Sequence, residues 1–147
     1  MRQYRFEWRG AFSNAALNAL HAEAFEHPVL EEDWVTQVTT HSLGWVCAFD
    51  GESLIGFVNV PWDGGAHAFI MDTAVSRAAR RQGVGSRLIA IAVAHARQAG
   101  CEWLHVDFDG EALRRFYFEA CGFEPTDAGL IRLRNEAEGA QDQSVNQ

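Results

Sequence analysis

The residues best suited to chemistry lie between Ser76 and Ser86, where three arginines and two glycines lead into an apolar segment. Arg80, Gly83 and Gly85 are spaced as Arg-x-x-Gly-x-Gly. The first turn of a helix leaves backbone N–H groups unpaired and carries a positive partial charge, so glycines there let an anion approach the backbone. Arginine adds a permanent positive charge. The segment therefore predicts a phosphate-binding site at the start of a helix.

The distribution of charge along the chain also favours an anion site here. Residues 77–101 contain five arginines and no acidic residue, whereas residues 10–76 contain nine acidic residues and no arginine or lysine. The formal net charge of the chain is -8, which argues against a nucleic-acid-binding face, because such faces carry clustered positive charge. The acidic half favours a cationic partner instead.

Residue types exclude two other phosphate-binding motifs. A P-loop and a Schiff-base enzyme both need a lysine, and all 12 basic residues of this chain are arginines. A dinucleotide-binding GxGxxG motif would need Gly or Ala at Leu88. The pattern that remains is Arg80-x-x-Gly83-x-Gly85, and a general binder of nucleotide phosphates stays open as a weaker alternative.

The elements around this motif must position it. In chain order, the sequence predicts a strand at Gln3–Trp8, a helix capped by Ser13 or Asn14, a short helix at Leu30–Gln37, a hairpin of Leu43–Phe49 and Ser53–Val60, a strand at Ala66–Val75, a buried helix at Gly83–Ala99, a strand at Glu102–Phe108, a helix at Glu111–Ala120 and a short final hairpin ending near Arg134. A strand, helix and strand in succession indicate a βαβ unit, whose ligands lie at the carboxyl ends of its strands.

The length of 147 residues, with 48% hydrophobic residues, predicts a single domain over residues 1–134 and a disordered polar tail at residues 135–147. The three cysteines, Cys47, Cys101 and Cys121, have no ligand spacing, so we expect reduced thiols in a cytoplasmic protein and no metal site. No stretch approaches the ~20 apolar residues of a membrane helix, and no signal peptide is expected.

The motif and its surroundings resemble the GNAT superfamily of acyl-CoA-dependent N-acyltransferases. Arg80-x-x-Gly83-x-Gly85 is similar to the family's Q/R-x-x-G-x-G/A signature, and Phe116-Tyr117 before Gly122-Phe123 is similar to the aromatic pair and GF that end a helix in GNAT proteins. The resemblance is specific over about residues 66–123 and extends to the first 60 residues only by the order of elements. It implies an α/β (α+β) GNAT fold, with a mixed, twisted central sheet of about six to seven strands flanked by about four helices.

The resemblance implies acetyl-CoA as the cosubstrate. Its pyrophosphate would lie on backbone N–H groups of the motif with Arg77 or Arg81 nearby, and its pantetheine would pair with the strand before the motif, where that strand and the next one splay apart. The implied cofactor-binding residues are Thr73, Ala74, Val75, Arg80, Arg81, Gln82, Gly83, Val84, Gly85 and Ser86.

Direct attack of an amine on the thioester, the reaction that the resemblance implies, needs a proton acceptor and a proton donor. Tyr117 is the candidate acid for the departing thiolate, although it stands five residues before Gly122, whereas the commonest family pattern places tyrosine four residues before it, at Phe118. The helix could shift by one residue to correct this. Asp109 also stands where the family commonly has Asn, which departs from its pattern of CoA contacts.

Asp72 is the candidate base because it lies near the end of the strand that should face the acceptor, and Asp107 and His105 are its rivals. Cys121 could suggest a covalent acyl-enzyme. No activating base is visible near it in the sequence, so a buried, inert thiol is the expectation.

The acceptor is expected to be a cationic primary amine, either a small molecule or a peptide. Acidic residues fall in the segment that would border its entrance, namely Glu23, Glu26, Glu31, Glu32 and Asp33. Phe25, Trp34 and Trp62 would either bind the cation or fill the core. No nucleic-acid or membrane partner is expected, and a homodimer is a possibility that the family implies. A non-catalytic acyl-CoA-binding or sensor module is the alternative function, suggested by the displaced Tyr117.

Overall fold

Five strands form one sheet within residues 3–134, the part of the chain that this computed structural model describes. In both chain order and spatial order they are β1 (Arg5–Trp8), β2 (Ser42–Asp50), β3 (Ser53–Pro61), β4 (His67–Val75) and β5 (Trp103–Val106). The pairs β1–β2, β2–β3 and β3–β4 are antiparallel, whereas the pair β4–β5 is parallel. The sheet is therefore mixed, which confirms the predicted fold class.

Helices cover both faces of this sheet. They are α1 (Asn14–Phe25), α2 (Trp34–His41), α3 (Val84–Gln98) and α4 (Glu111–Arg114), and α4 continues as a π-helical turn over Arg115–Ala120. The helices α1 and α2 pack on one face and α3 packs on the other. Among the described residues, no helix is long and apolar enough to cross a membrane.

Alternating side chains of the central strands build a separate core on each face. Val46 of β2 belongs to the core beneath α3, where Leu88 is fully buried. Phe57 of β3 belongs to the opposite core, together with Leu17 of α1. Each face of the sheet therefore holds its own helices by burying apolar surface.

Gly56 of β3 sets how closely the start of α3 approaches the sheet. A Cβ atom built at Gly56 would lie 3.1 Å from Val84 Cγ1 and 3.3 Å from Leu88 Cδ1. A larger residue would push the helix away from the strand, so the glycine holds the first turn of α3 directly over β3.

The predicted hairpin and the predicted βαβ unit are both confirmed. Strands β2 and β3 are antiparallel with Asp50 paired to Ser53, and Gly51 in the turn has φ 60. This left-handed conformation costs a glycine little. The unit β4–α3–β5 has parallel strands joined through the helix.

The second predicted helix, Leu30–Gln37, has different bounds in the structure, Trp34–His41. The second helix begins at Trp34 rather than Leu30, because Asp33 caps it by accepting hydrogen bonds from Thr36 N at 3.2 Å and Thr36 Oγ1 at 2.8 Å.

The sheet has five strands rather than six to seven, because the described residues 121–134 form no final hairpin. Pro125 offers no N–H to a ladder. Leu130, Ile131 and Leu133 are 61%, 82% and 94% exposed, so these apolar side chains do not pack on the sheet. The predicted tail at 135–147 lies outside the described residues, and the domain boundary at 134 stays a prediction.

Candidate active site

An extra residue in β4 creates a β-bulge beside the predicted site. On β3 the paired residues Phe57 and Asn59 are two apart, whereas their partners on β4, Ala74 and Met71, are three apart. Asp72 takes up the extra residue with φ 57, a left-handed conformation that is uncommon outside glycine. The bulge switches which side chains face which layer of helices.

This switch places Asp72 and Thr73 on opposite faces of the sheet. Asp72 is buried on the side of α1, where its Oδ1 lies 3.2 Å from His21 Nε2. The next side chain, Thr73, points to the α3 side, where Tyr117 contacts it. The candidate base and the candidate acid therefore approach β4 from different faces.

Strands β4 and β5 separate at the same point along the sheet. Their pairing runs from His67 with Trp103 to Ile70 with Val106 and continues no further. Residues 71–75 of β4 have no β5 partner within the described part of the chain, so their backbone groups on that side, apart from Val75 O, which accepts from Arg80 Nε, are available to a ligand. The opening predicted between these strands is present.

The π-helical turn after α4 accounts for the unusual position of Tyr117. Cys121 N donates to Phe116 O across five residues at 3.0 Å, which is the π-helical pattern. A π turn holds one more residue than an α turn. It thus absorbs the additional residue between Tyr117 and Gly122 and leaves Tyr117 facing the core rather than Phe118.

Tyr117 is almost fully buried, with 5% of its surface exposed. Its hydroxyl donates to Thr73 Oγ1 at 3.1 Å, and its ring stacks on Phe108 with 5.2 Å between centroids. Burial raises the pKa of Tyr117, the hydrogen bond to Thr73 opposes this in part, and Cys121 adds a smaller increase. The phenol consequently stays protonated at neutral pH, as a proton donor must.

The turn before α3 forms a cradle for an anion. Gly83 precedes the helix with φ 78, Arg81 has φ 63, and among the described residues no side chain caps the helix. A Cβ built at Gly83 would meet no described atom within 4 Å, so the space above it is open. Ser76 Oγ, at the start of the turn, is buried with no hydrogen-bond partner in the described chain. An open turn with unpaired backbone N–H groups at the start of a helix fits an anionic phosphate ligand.

Gly85 holds this cradle against the π-helical turn. A Cβ at Gly85 would lie 3.2 Å from both Cε1 and Cζ of Phe116 and 3.9 Å from Val75 Cγ2. The close contact explains why a glycine stands at this position. It also couples the start of α3 to the segment that carries Tyr117.

Four arginines lie between the end of β4 and the first turn of α3. Arg77, Arg80, Arg81 and Arg87 are exposed, and none forms an ion pair with any residue from 3 to 134. Arg80 Nε donates to Val75 O at 3.3 Å, which ties the motif to the end of β4. Their positive charge is available to an anion.

The other predicted cofactor-binding residues fall into two groups. Ala74 and Val84 are 1% and 2% exposed and pack in the cores, so only their backbone atoms could meet a ligand. Gln82 is exposed, and its side chain accepts from Tyr4 Oη at 2.9 Å and donates to Ala78 O at 3.0 Å. Ser86 is half-buried in the first turn of α3.

Two histidines complete the surroundings of Asp72, and sequence reasoning missed both. His21 is 2% exposed, and its Nδ1 lies 2.7 Å from His27 Nε2. The available signal was position: His21 lies four residues after Leu17, on the buried face of α1, and a buried histidine needs a hydrogen-bond partner.

The rival residues are placed elsewhere. His105 is exposed, lies with its Nε2 2.8 Å from His67 Nδ1 and stacks on Phe69, while Asp107 is exposed beyond the end of β5. Burial raises the pKa of the Cys121 thiol to about 11, so this thiol is neutral near pH 7 and a poor nucleophile.

The acidic segment contributes fewer free carboxylates than its sequence indicates. Glu23 Oε2 accepts from Arg77 N at 2.5 Å, and Asp33 caps α2. Glu26, Glu31 and Glu32 are exposed. The three aromatic residues are packed: Trp34 is in the core beneath α1 and α2, Phe25 packs against that core and Trp62 packs against the other.

Residues 5–123 match the model of the acetyltransferase (GNAT) family. Over 71 residues, or 48% of this chain, the sequence is 37% identical to the tRNA(Met) cytidine acetyltransferase of Yersinia pestis, but the match spans only 9% of that protein's length.

Solved structures share the fold. A GNAT family acetyltransferase of Streptococcus pneumoniae superposes with a TM-score of 0.71 at 19% identity, covering 90% of this chain and 100% of that one. The structure of AAC(6')-Iy with the bisubstrate analogue CoA-S-monomethyl-acetylneamine gives a TM-score of 0.69 at 18% identity, covering 91% and 99%.

Proposed function

Because the chain belongs to the GNAT family of acetyltransferases, we propose that it transfers an acetyl group from acetyl-CoA to a cationic primary amine by direct attack. One observation carries the proposal. The Tyr117 hydroxyl is held on Thr73 beside the point where β4 and β5 separate. A protonated phenol at this point would supply the proton that the departing thiolate needs.

The cradle between Arg80 and Ser86 is the proposed site for the pyrophosphate of acetyl-CoA. Its backbone N–H groups would bind the phosphates, with Arg77 and Arg81 supplying charge. The free edge of residues 73–75 would accept and donate hydrogen bonds to the amides of the pantetheine arm. The structure of AAC(6')-Iy was solved with a CoA analogue, which supports a CoA-shaped site on this fold.

Tyr117 and Asp72 divide the proton transfers between them. Burial raises the pKa of Tyr117 and so keeps the phenol protonated, ready to donate its proton to the sulfur as the thiolate departs. Asp72 would accept the proton of the attacking amine on the opposite face of β4. The amine nitrogen would then lose its proton on one face of β4, and the departing sulfur would gain one on the other.

A cationic small molecule or peptide is the proposed acceptor. The relative from Yersinia pestis is named for tRNA, yet this chain has a net charge of -8. Phosphate-rich partners would be repelled by the exposed Glu26, Glu31 and Glu32, whereas an ammonium group would be attracted.

A non-catalytic acyl-CoA-binding module was suggested only by the spacing of Tyr117. Because the π turn brings Tyr117 to Thr73, that reason no longer favours it.

Calorimetric titration with CoA and acetyl-CoA, followed by measurement of thiol release, tests the proposal. The amine panel contains polyamines, aminoglycosides, amino acids and peptides, and acetate in place of acetyl-CoA serves as the control. Binding with thiol release for one amine would establish the reaction. Binding without release for any amine would favour the sensor module, and no binding would refute the placement of the cradle.

A further inference from the structure

Three titratable side chains form a continuous chain of contacts from the bulge in β4 to the surface. Asp72 Oδ1 lies 3.2 Å from His21 Nε2, and His21 Nδ1 lies 2.7 Å from His27 Nε2. The remaining ring nitrogen, His27 Nδ1, lies 2.7 Å from Pro28 O. His21 is buried, whereas His27 is half-buried. The direct-attack chemistry described above does not use either histidine.

The number of protons that these three side chains share follows from the hydrogen-bond partner of His27, the outermost of them. Pro28 O is a carbonyl oxygen and only accepts, so His27 Nδ1 must carry a proton. A neutral His27 then presents Nε2 as an acceptor, and His21 Nδ1 must donate to it. A neutral His21 would therefore face the Asp72 carboxylate with an unprotonated Nε2. Three contacts need three protons, and two neutral imidazole rings supply only two.

The third proton belongs between His21 and Asp72, and the surroundings favour its residence on His21. The rings of Phe25 and Trp34 lie against His21, with centroid distances of 4.4 and 5.2 Å. Aromatic rings attract cations. The geometry thus indicates a His21 imidazolium paired with an ionised Asp72, a unit that is neutral as a whole.

The row of contacts formed by Asp72, His21 and His27 begins at the second carboxylate oxygen of Asp72, Oδ2. Oδ2 accepts no hydrogen bond from residues 3–134, and the Asp72 side chain keeps 9% of its surface exposed, against 2% for His21. A proton can therefore reach Asp72 at Oδ2 from a bound ligand. At the other end, the contact of His27 with Pro28 O is exposed to solvent.

We propose that Asp72, His21 and His27 form a proton exit for acetyl transfer, with Asp72 taking the acceptor's proton and His27 releasing one to water. The inference rests on the proposed function, which it extends by assigning His21 and His27 as positioning residues that act through Asp72.

The proton balance of the reaction requires such an exit. An ammonium group has three N–H bonds and the product amide has one, so two protons leave the nitrogen in each turnover. One ends on the sulfur of CoA by way of Tyr117, and the other must reach solvent. An N–H bond of the amine breaks and an O–H bond forms at Asp72 Oδ2. His21 passes its Nδ1 proton to His27 Nε2, and His27 gives its Nδ1 proton to water. One proton enters this relay and one leaves, so its net charge is unchanged during acetyl transfer. After the products leave, Asp72 Oδ2 gives its proton to water, His27 Nδ1 takes a proton from water, and the His27 Nε2 proton returns to His21 Nδ1, which restores the starting state.

A purely structural role would use the same contacts to fasten α1 to β4. That account does not need a third proton, and it gives turnover no dependence on an external proton carrier. Two measurements separate the accounts.

The first measurement reads the protons directly and does not depend on turnover. Long-range proton–nitrogen correlation spectra of the full chain with labelled histidine should show His21 protonated on both nitrogens and His27 protonated on Nδ1 at neutral pH. Asp72→Asn should return His21 to a neutral ring. A neutral His21 in the wild-type protein, or a His27 without a proton on Nδ1, would overturn the proton count.

The second measurement is chemical rescue of His27→Ala. We expect this variant to lose about tenfold or more in kcat with an unchanged affinity for CoA, and to regain activity as imidazole is added to the buffer. His41→Ala is the matched control, because His41 is an exposed histidine at the end of α2. It should keep full activity and show no response to imidazole.

A loss in His27→Ala that imidazole does not restore would overturn the exit and favour the structural role, as would undiminished activity. An inactive wild-type protein would refute the proposed function and the catalytic use of the chain together. The spectra would still decide whether the three side chains share the extra proton.

Discussion

Replacing Tyr117 by Phe removes one hydroxyl group from the proposed site and leaves the aromatic ring in place. The ring stacks on Phe108 and packs in the core beneath α3, and Phe can keep this packing. The group lost is the donor of the 3.1 Å hydrogen bond to Thr73 Oγ1. Such a bond contributes about 0.5–1.5 kcal/mol to stability, so we expect the variant to fold.

The expected effect on catalysis is larger than the effect on stability. A positioned general acid contributes about 10²–10⁴-fold to the rate, which corresponds to about 3–5 kcal/mol at 1.36 kcal/mol for each factor of ten. We therefore expect kcat of Tyr117→Phe to fall by at least about 100-fold. The affinity for CoA should change little, because the proposed phosphate site is the cradle before α3.

Thr73→Val provides the comparison, because it removes the same hydrogen bond from the other side and keeps the phenol. Both variants should lose similar stability in urea unfolding, but Thr73→Val should lose less than about tenfold in kcat. The initial rate of thiol release under saturating acetyl-CoA gives kcat for each of the two variants. Equal losses of kcat in the two variants, or a Tyr117→Phe rate close to that of the wild type, would refute the role of Tyr117 as the acid.

Three further predictions concern the cradle and the thiol. Gly83→Val should abolish CoA binding in calorimetry while the chain stays folded, because a branched side chain at φ 78 is strained by about 1–2 kcal/mol and covers the backbone; unchanged affinity would place the phosphates elsewhere. Raising the ionic strength from low to moderate should weaken CoA binding, since Arg77 and Arg81 are exposed and screened by salt, and a flat dependence would contradict their role. Cys121→Ser should keep thiol release at the wild-type rate because a thiol with a pKa of about 11 is protonated near neutral pH, and a loss of turnover would instead indicate an acyl-enzyme.

The motif and the elements beside it could be predicted because their signals are local. Gly83 adopts a positive φ, which few other residues tolerate, and the hairpin closes at Gly51 for the same reason. The apolar stripe of α3 and the alternation in β2 reflect burial of one face, which hydrophobic patterns report directly.

The placement of Tyr117 and Asp72 could not be predicted in this way. The π turn changes which of Tyr117 and Phe118 faces the core, and Phe116 within it packs against Gly85, a residue far from it in the sequence. The contact between His21 and Asp72 joins residues 51 apart in the chain. Neither spacing nor composition reports such a contact, because it arises only when α1 packs on β4.

The bulge in β4 divides that strand into two segments of opposite parity. Before Asp72 the even-numbered side chains, Ala68 and Ile70, face α3, whereas beyond it the even-numbered Ala74 faces α1 and α2. An insertion in a surface loop shifts the numbering and leaves the layers intact. Removing one residue from a regular stretch of β4 would instead exchange the layers for every side chain on one side of the cut, whereas removing the extra residue at the bulge would restore regular alternation and leave the other side chains in their layers. Which side chains of β4 face each layer of helices thus depends on the number of residues in the strand as much as on their identity. A redesign of the regular parts of this strand has to keep that number.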